Sequence, residues 1–226
     1  MRCTLVRHGQ TPANELGQLD TGYPGLPLTR LGLRQAEALP SVLDPSRVDL
    51  IVVSSLRRTS MTAEPLARVC ALDPVSLPEL AEISAGSLEM QSDEQSKITY
   101  LETVIAWAGG DLSRPMPGGG DGHDFLGRFD RGIAWVAAQG VAEAVVVSHG
   151  AAIRGWTAAR VHGVTPEFAA ANALHNTGRV VIEQSADQGW ELVSWISDPA
   201  LPIETGAEPA DDPTGAGLGE LRQSTH

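Results

Sequence analysis

Lysine and cysteine are both scarce in this 226-residue chain. The two cysteines, Cys3 and Cys70, lack a CxxC spacing, so a disulfide framework is excluded and two reduced thiols in a cytoplasmic protein are favoured. The chain also lacks any apolar run near the roughly 20 residues that a membrane-spanning helix needs. We therefore expect a cytoplasmic protein without a membrane partner. Because a strand-like segment begins directly after Met1, no N-terminal leader is expected.

An excess of positive charge is missing as well. The formal net charge is −12, which argues against a nucleic-acid partner. Lys97 is the only lysine among 16 basic residues, and the rest are arginines. An acidic protein that binds anions must gather cations locally, and the planar arginine fork is suited to phosphate oxygens.

Motifs for common cofactors and metals are absent from the sequence. There is no GxxxxGK[ST] loop, no GxGxxG fingerprint and no HExxH pair, and "GGG" at 118–120 indicates only a turn. No cofactor and no metal are predicted.

Short apolar runs alternate with amphipathic segments over the first 200 residues. Strands are predicted at 2–7, 49–54, 143–148, 178–184 and 190–196, and helices at 28–43, 56–70, 98–108, 124–139 and 151–161. This alternation predicts an α/β fold, a three-layer sandwich with a mostly parallel central sheet and helices on both faces. The domain is expected to span 1–200, and the acidic stretch 201–226, rich in Gly, Ala and Pro, is expected to be a disordered tail.

Three of the predicted strands end in cationic or reactive side chains. The first ends in Arg7 and His8, the second leads into Arg57 and Arg58, and the third ends in His149. Ligands of open α/β sheets bind beyond the carboxyl ends of the strands, so these groups are expected to converge on one crevice. A glycine follows each histidine, which lets backbone amides approach an anion closely.

These motifs resemble those of the histidine phosphatase superfamily, also called the phosphoglycerate mutase-like family. Arg7-His8-Gly9 with Thr11 and Asn14 is similar to its first signature, and "LTRLGLRQA" at 28–36 to its first helix. "SSLRRTSMTAE" at 54–64 resembles the second block, and its register selects Arg58 over the neighbouring Arg57. "VVVSHG" at 145–150 resembles the second histidine block, so the likeness extends from about residue 3 to about residue 185.

The resemblance implies a role for each of these side chains. His8 is expected to be the nucleophile that forms a phosphohistidine, with its other ring nitrogen held as a donor to a backbone carbonyl. Arg7, Arg58 and His149 are expected to bind and stabilise the phosphoryl group, and Asn14 to add a hydrogen bond.

A proton donor for the leaving oxygen is also required. The family places this acid in a Leu-x-Glu segment, which "ELAEISAGSLEM" at 79–90 resembles with Glu82 at the acid. Glu89 and Glu79 are weaker candidates. The chain departs from the family where Leu88-Glu89-Met90 replaces Trp-Glu-Gly, and where "GGGDG" at 118–122 replaces Gly-Gly-Glu-Ser, with Asp121 available to N-cap a helix. These departures fall in the substrate-facing segments and leave the substrate open.

The leading hypothesis is a metal-independent phosphatase that hydrolyses a small soluble phosphomonoester. A phosphoglycerate mutase-type transfer is the first alternative, although "AEISAGSLEM" lacks the longer substrate-gripping insertion of those mutases. A non-catalytic protein that binds a phospholigand on the same scaffold is the second. The sequence indicates no oligomeric state.

Overall fold

The computed structural model describes residues 1–185, 189–201, 214, 215, 217 and 219. Within this part, the strands are β1 Arg2–Arg7, β2 Leu50–Val53, β3 Val75–Ser76, β4 Glu143–Ser148, β5 Val161–His162, β6 Arg179–Ser185 and β7 Gly189–Ile196. The helices are α1 Pro12–Glu15, α2 Arg30–Val42, α3 Arg57–Cys70, α4 Glu94–Ala108, α5 Gly122–Ala137, α6 Gly150–Arg160 and α7 Pro166–Ala171.

The strands form one sheet in the order β3-β2-β4-β1-β6-β7-β5. The three strands predicted to end in polar groups are neighbours, with β4 parallel to both β1 and β2. Arg7 is in register with Ser148, so the ends of β1 and β4 meet at the same edge of the sheet. Strand β6 runs antiparallel to β1, and β7 antiparallel to β6, which makes the sheet mixed but largely parallel at its centre.

Helices cover both faces of the sheet, because successive side chains of a strand point to opposite sides. Leu5 packs in a core cluster with side chains of α4, α5 and α6, and Val6 packs in a second cluster with Leu39 of α2 and Leu66 of α3. The predicted three-layer α/β sandwich is confirmed.

Most predicted elements lie within a few residues of their observed bounds. Thr29 caps α2 by accepting a bond from the Gly32 amide, and Asp121 caps α5 as expected. Helix α4 begins at Glu94 rather than 98, because Asp93 caps it through the Ser96 amide and adds a polar first turn. No bounds were predicted for helices α1 and α7, since four and six residues are too short for a clear apolar period.

Both cysteines are free, and burial raises the pKa of the Cys3 thiol to about 12. No helix in the described part of the chain is both long and apolar enough to cross a bilayer. The tail expected to be disordered falls mostly outside the described residues. Of its described residues, Thr214, Gly215 and Gly217 are buried.

Candidate active site

His8 lies directly after β1 and is 3% exposed. Its Nδ1 atom is 2.8 Å from the carbonyl oxygen of Gly9. A carbonyl only accepts hydrogen bonds, so Nδ1 carries the proton and Nε2 keeps its lone pair. Burial, with the charges of Arg58 and Arg7, holds the pKa of His8 well below its ordinary value. The imidazole is therefore neutral and nucleophilic at Nε2.

Thr62 connects the His8 segment to helix α3. The Gly9 amide donates to its hydroxyl oxygen (2.9 Å), and the hydroxyl donates to the carbonyl of Arg58 (2.7 Å). Gly9 also packs so closely on α2 that an added Cβ would lie 2.7 Å from the carbonyl oxygen of Gly32. One hydroxyl therefore fixes the distance between the histidine loop and the start of α3.

Arg58 lies in the first turn of α3 and is 2% exposed, whereas Arg57 is exposed, as the register of the motif predicts. Its Nη2 donates to the carbonyl of Asp20 (2.9 Å), and its Nη1 lies 3.4 Å from the Asp20 carboxylate. Its Nε is buried and has no hydrogen-bond partner in the described part of the chain. Asp20 was not anticipated from the sequence, since an acid in a loop of this kind carries no distinguishing pattern.

Glu89 holds the loop that carries Asp20. Its carboxylate accepts bonds from the amides of Thr21 (2.7 Å) and Gly22 (3.0 Å), and also from the Thr21 hydroxyl. Its oxygens are thus turned to the loop backbone. Neither Glu89 nor Glu79 lines the cavity that contains His8 among the described residues.

His149 occupies the N-cap position of α6 and is completely buried. Its Nε2 lies 2.7 Å from the Ser54 hydroxyl, and its ring centroid is 5.3 Å from that of His8. Burial, followed by the charge of Arg58, holds the pKa of His149 well below its usual range. Its Nδ1 is buried and has no partner within the described residues, which leaves a polar atom for a ligand oxygen.

Arg7 is fully buried at the end of β1. Its Nη1 donates to the carbonyl of Leu174 (2.9 Å) and its Nη2 to the hydroxyl of Thr214 (2.8 Å). Thr214 belongs to the acidic tail, and nothing in its polar, Gly-rich surroundings indicated a contact with the site.

Glu82 reaches the N-terminus of α6. Its Oε1 accepts from the amides of Ile83 and Ala152 (2.8 Å each), and its Oε2 from the amide of Ala151 (3.2 Å). Burial raises the pKa of the Glu82 carboxyl above its ordinary value, although these amides and Arg58 act in the opposite direction. A carboxyl with a raised pKa holds its proton closer to neutral pH than an exposed one does.

Asn14 forms a capping box with Thr11 at the start of α1. Its Oδ1 accepts from the Thr11 amide (2.9 Å) and from Nδ2 of Asn176 (3.2 Å). The same Asn176 amide group lies 3.1 Å from the carbonyl oxygen of His8. Asn176, in the loop before β6, is a further member of the site that the sequence did not single out.

Some of these side chains line a small cavity of about 10 Å³, and Arg7 and His149 are not among them. It is lined by His8, Thr11, Ala13, Asn14, Gln18, Asp20, Arg58, Glu82 and Thr214. A larger cavity of about 350 Å³ shares Glu82 with it and is walled by Trp107, Phe125 and Arg128. Among the described residues, no group of three or more histidine, cysteine or acidic side chains is arranged to hold a metal ion.

The chain is similar to known proteins over most of its length. The pattern of the histidine phosphatase superfamily (branch 1) matches residues 3–198. The mycobacterial glucosyl-3-phosphoglycerate phosphatase, solved with VO3, superposes with a TM-score of 0.72 at 26% identity, over 87% of this chain and 99% of that one.

Two curated relatives extend the comparison. The PE-PGRS family protein PE_PGRS11 of Mycobacterium tuberculosis is 36% identical over 88% of this chain, which spans only 37% of that longer protein. An adenosylcobalamin/alpha-ribazole phosphatase of Escherichia coli is 34% identical over 66% of this chain and 73% of its own length. The match over residues 3–198 and the shared fold confirm the resemblance of the motifs, and the chain belongs to the histidine phosphatase superfamily, branch 1.

Proposed function

We propose that this protein is a phosphatase that hydrolyses a small phosphomonoester through a phosphohistidine at His8. The observation that carries the proposal is the Nδ1 contact of His8 with the Gly9 carbonyl, which leaves Nε2 unprotonated beside two buried arginines. Phosphatase names among the relatives support the same reaction class. The proposed setting is the cytoplasm, without a nucleic-acid partner, in keeping with the net charge of −12.

The reaction has two steps. In the first, Nε2 of His8 attacks phosphorus, the bond from phosphorus to the ester oxygen breaks, and Glu82 donates its proton to the leaving oxygen. In the second, water attacks phosphorus, its proton passes to the Glu82 carboxylate, and the phosphorus–nitrogen bond breaks to release inorganic phosphate. The raised pKa of Glu82 supports its role as the acid, because the carboxyl then keeps its proton at a higher pH than an exposed glutamic acid does.

Charge stabilisation carries most of the remaining catalysis. Arg7, Arg58 and His149 are the proposed ligands of the equatorial oxygens of the phosphoryl group, which gather negative charge as it transfers. The partnerless Nε of Arg58 and Nδ1 of His149 support this role. Asn14 is the proposed neutral hydrogen-bonding partner of the same group.

The leaving group is proposed to extend from Glu82 into the larger cavity. A volume of about 350 Å³ lies within the range of small-molecule sites. Arg128, half-buried on its wall, donates to the carbonyls of Glu79 and Ala81 and thereby fixes the backbone before Glu82. A small, soluble metabolite phosphate fits this arrangement.

A phosphate-release assay tests the proposal. The purified protein is given sugar phosphates, phosphoglycerates, nucleotides and phosphoamino acids in the presence of EDTA. We expect inorganic phosphate from at least one of them. Isomerised phosphoglycerate without phosphate release would indicate a mutase, and phosphate binding without turnover of any ester would indicate a non-catalytic phospholigand protein.

A further inference from the structure

A short piece of the acidic tail is docked beside the phosphate pocket. The Leu174 amide donates to the carbonyl of Gly215 (2.9 Å), and Nη1 of Arg154 lies 3.4 Å from the carbonyl oxygen of Thr214. Arg154 is itself buried in α6. The tail is thus held by backbone contacts to two separate segments of the domain.

The Thr214 side chain enters the pocket itself. Its hydroxyl accepts a bond from Nη2 of Arg7 (2.8 Å), and Thr214 lines the same cavity as His8, Arg58 and Glu82. With Thr214 in place, this cavity measures about 10 Å³. A space of that size holds about one water molecule and not a phosphoryl group.

We propose that the tail segment at Thr214 is an intramolecular competitor of phosphate. A phosphate oxygen and the Thr214 hydroxyl need the same Arg7 donor, and only one of them fits in the cavity. The phosphate oxygen carries a charge opposite to that of Arg7, so it attracts the guanidinium more strongly than the neutral Thr214 hydroxyl does. Phosphate therefore displaces the tail when its concentration is sufficient.

The tethered competitor has a defined kinetic consequence. Only the fraction of molecules with the tail undocked can bind substrate, so the apparent dissociation constant is the intrinsic one divided by that fraction. Undocking the tail should lower KM and the inhibition constant of inorganic phosphate by one common factor, while kcat stays near its starting value. This inference rests on the proposed phosphate site.

Two glycines of the tail provide a matched pair of variants. A Cβ on Gly215 would lie 1.7 Å from Nη1 of Arg7 and 2.8 Å from the carbonyl oxygen of Leu174, so Gly215→Ala cannot dock as the native chain does. A Cβ on Gly219 meets nothing within 4 Å, so Gly219→Ala is the control. Thr214→Val removes the hydroxyl that Arg7 contacts and provides a second, sterically milder test.

Hydrogen exchange of the unmodified 226-residue protein is the direct experiment. Saturating inorganic phosphate should speed deuterium uptake in the peptide that contains Thr214, because the tail leaves. Two outcomes, with phosphate bound, would overturn the inference. Slower uptake would mean that the tail packs over phosphate, and unchanged uptake would mean that phosphate does not affect the tail.

Phosphate titration of the variants completes the test. Gly215→Ala and Thr214→Val should each bind inorganic phosphate severalfold more tightly than the wild type, and Gly219→Ala equally. Equal affinity in all four proteins would overturn the competition while leaving the phosphate site intact. If none of them bound phosphate, the proposed function would fail along with the inference.

Discussion

Nη1 of Arg58 lies 3.4 Å from a carboxylate oxygen of Asp20, and both side chains line the cavity that holds His8. An anion-binding site thus holds a carboxylate of its own beside Arg58, one of its two buried arginines. The backbone carbonyl of Asp20 also accepts from Arg58, and the Leu26 amide donates to the Asp20 carboxylate. Arg58 is therefore positioned by the backbone and partly neutralised by the side chain.

Asp20→Asn should bind inorganic phosphate more tightly than the wild type. The amide oxygen can still accept from the Leu26 amide, and the backbone contact to Arg58 remains, while one negative charge leaves the pocket. A unit charge a few ångströms away in a partly buried site predicts about a tenfold lower inhibition constant. The inhibition constant is measured from the inhibition of ester hydrolysis by inorganic phosphate. Asp73 is exposed, so Asp73→Asn is the control. Weaker phosphate inhibition would show that Asp20 is needed to position Arg58.

Glu82→Gln should slow the hydrolysis of esters with poor leaving groups more than that of esters with good ones. An alkyl phosphate needs a proton on the departing oxygen, whereas an activated aryl phosphate does not, so we expect about a hundredfold loss in kcat for the first and little for the second. Glu79→Gln, outside the cavity, is the control. The same loss for both esters would assign the acid to another group.

Glu89→Ala should raise KM without changing this dependence on the leaving group. Its carboxylate holds the amides of Thr21 and Gly22, and that loop positions Arg58 through Asp20. Loss of the three loop contacts loosens the loop, and we expect phosphate binding to weaken about tenfold because only part of their combined free energy, roughly 1 kcal/mol for each hydrogen bond, is transmitted to Arg58. KM and kcat for both esters are measured. A selective loss for the alkyl ester would instead support Glu89 as the acid.

His8→Gln should flatten the dependence of stability on pH. The folded protein keeps His8 neutral because its pKa is well below its ordinary value near 6.5, while the unfolded chain binds a proton below that pH. Stability is therefore present above pH 6.5 and is lost as pH falls below it, at about 1.4 kcal/mol per pH unit for each such histidine. The free energy of unfolding, measured in urea from pH 7 to pH 5, should fall less steeply in His8→Gln than in the wild type, because the contribution of one histidine is missing. An unchanged slope in His8→Gln would mean that His8 is protonated in the fold.

The sequence predicted the fold well because its signals are local and strong. Apolar runs such as 143–148 are unambiguous strands, and Thr29 and Asp121 are ordinary caps. The grouping of His8, Arg58 and His149 in space followed from parallel strands that end at one edge. Asp20, Asn176 and Thr214 could not be predicted in the same way, since each reaches the site through loop or tail geometry that carries no period in the sequence.

Glu89 is a residue that the sequence singled out but whose contacts it could not predict. It is a candidate for the acid because it is a carboxylate in the segment that carries Glu82. Its contacts with Thr21 and Gly22 depend on how two distant loops pack, at a separation of 68 residues for Thr21. Spacing along the chain identifies candidate carboxylates such as Glu89, but it does not determine which way their side chains point.

The central claim is the covalent phosphohistidine at His8, and trapping it tests the claim most directly. The wild type and His8→Ala are mixed with a phosphorus-labelled phosphomonoester, quenched in alkali within milliseconds and digested for mass spectrometry, with His123→Ala as control. We expect acid-labile label on His8 in the wild type and in the control, and neither label nor turnover in His8→Ala. A His8→Ala protein that turned over substrate near the wild-type rate, or label on another residue, would contradict the account.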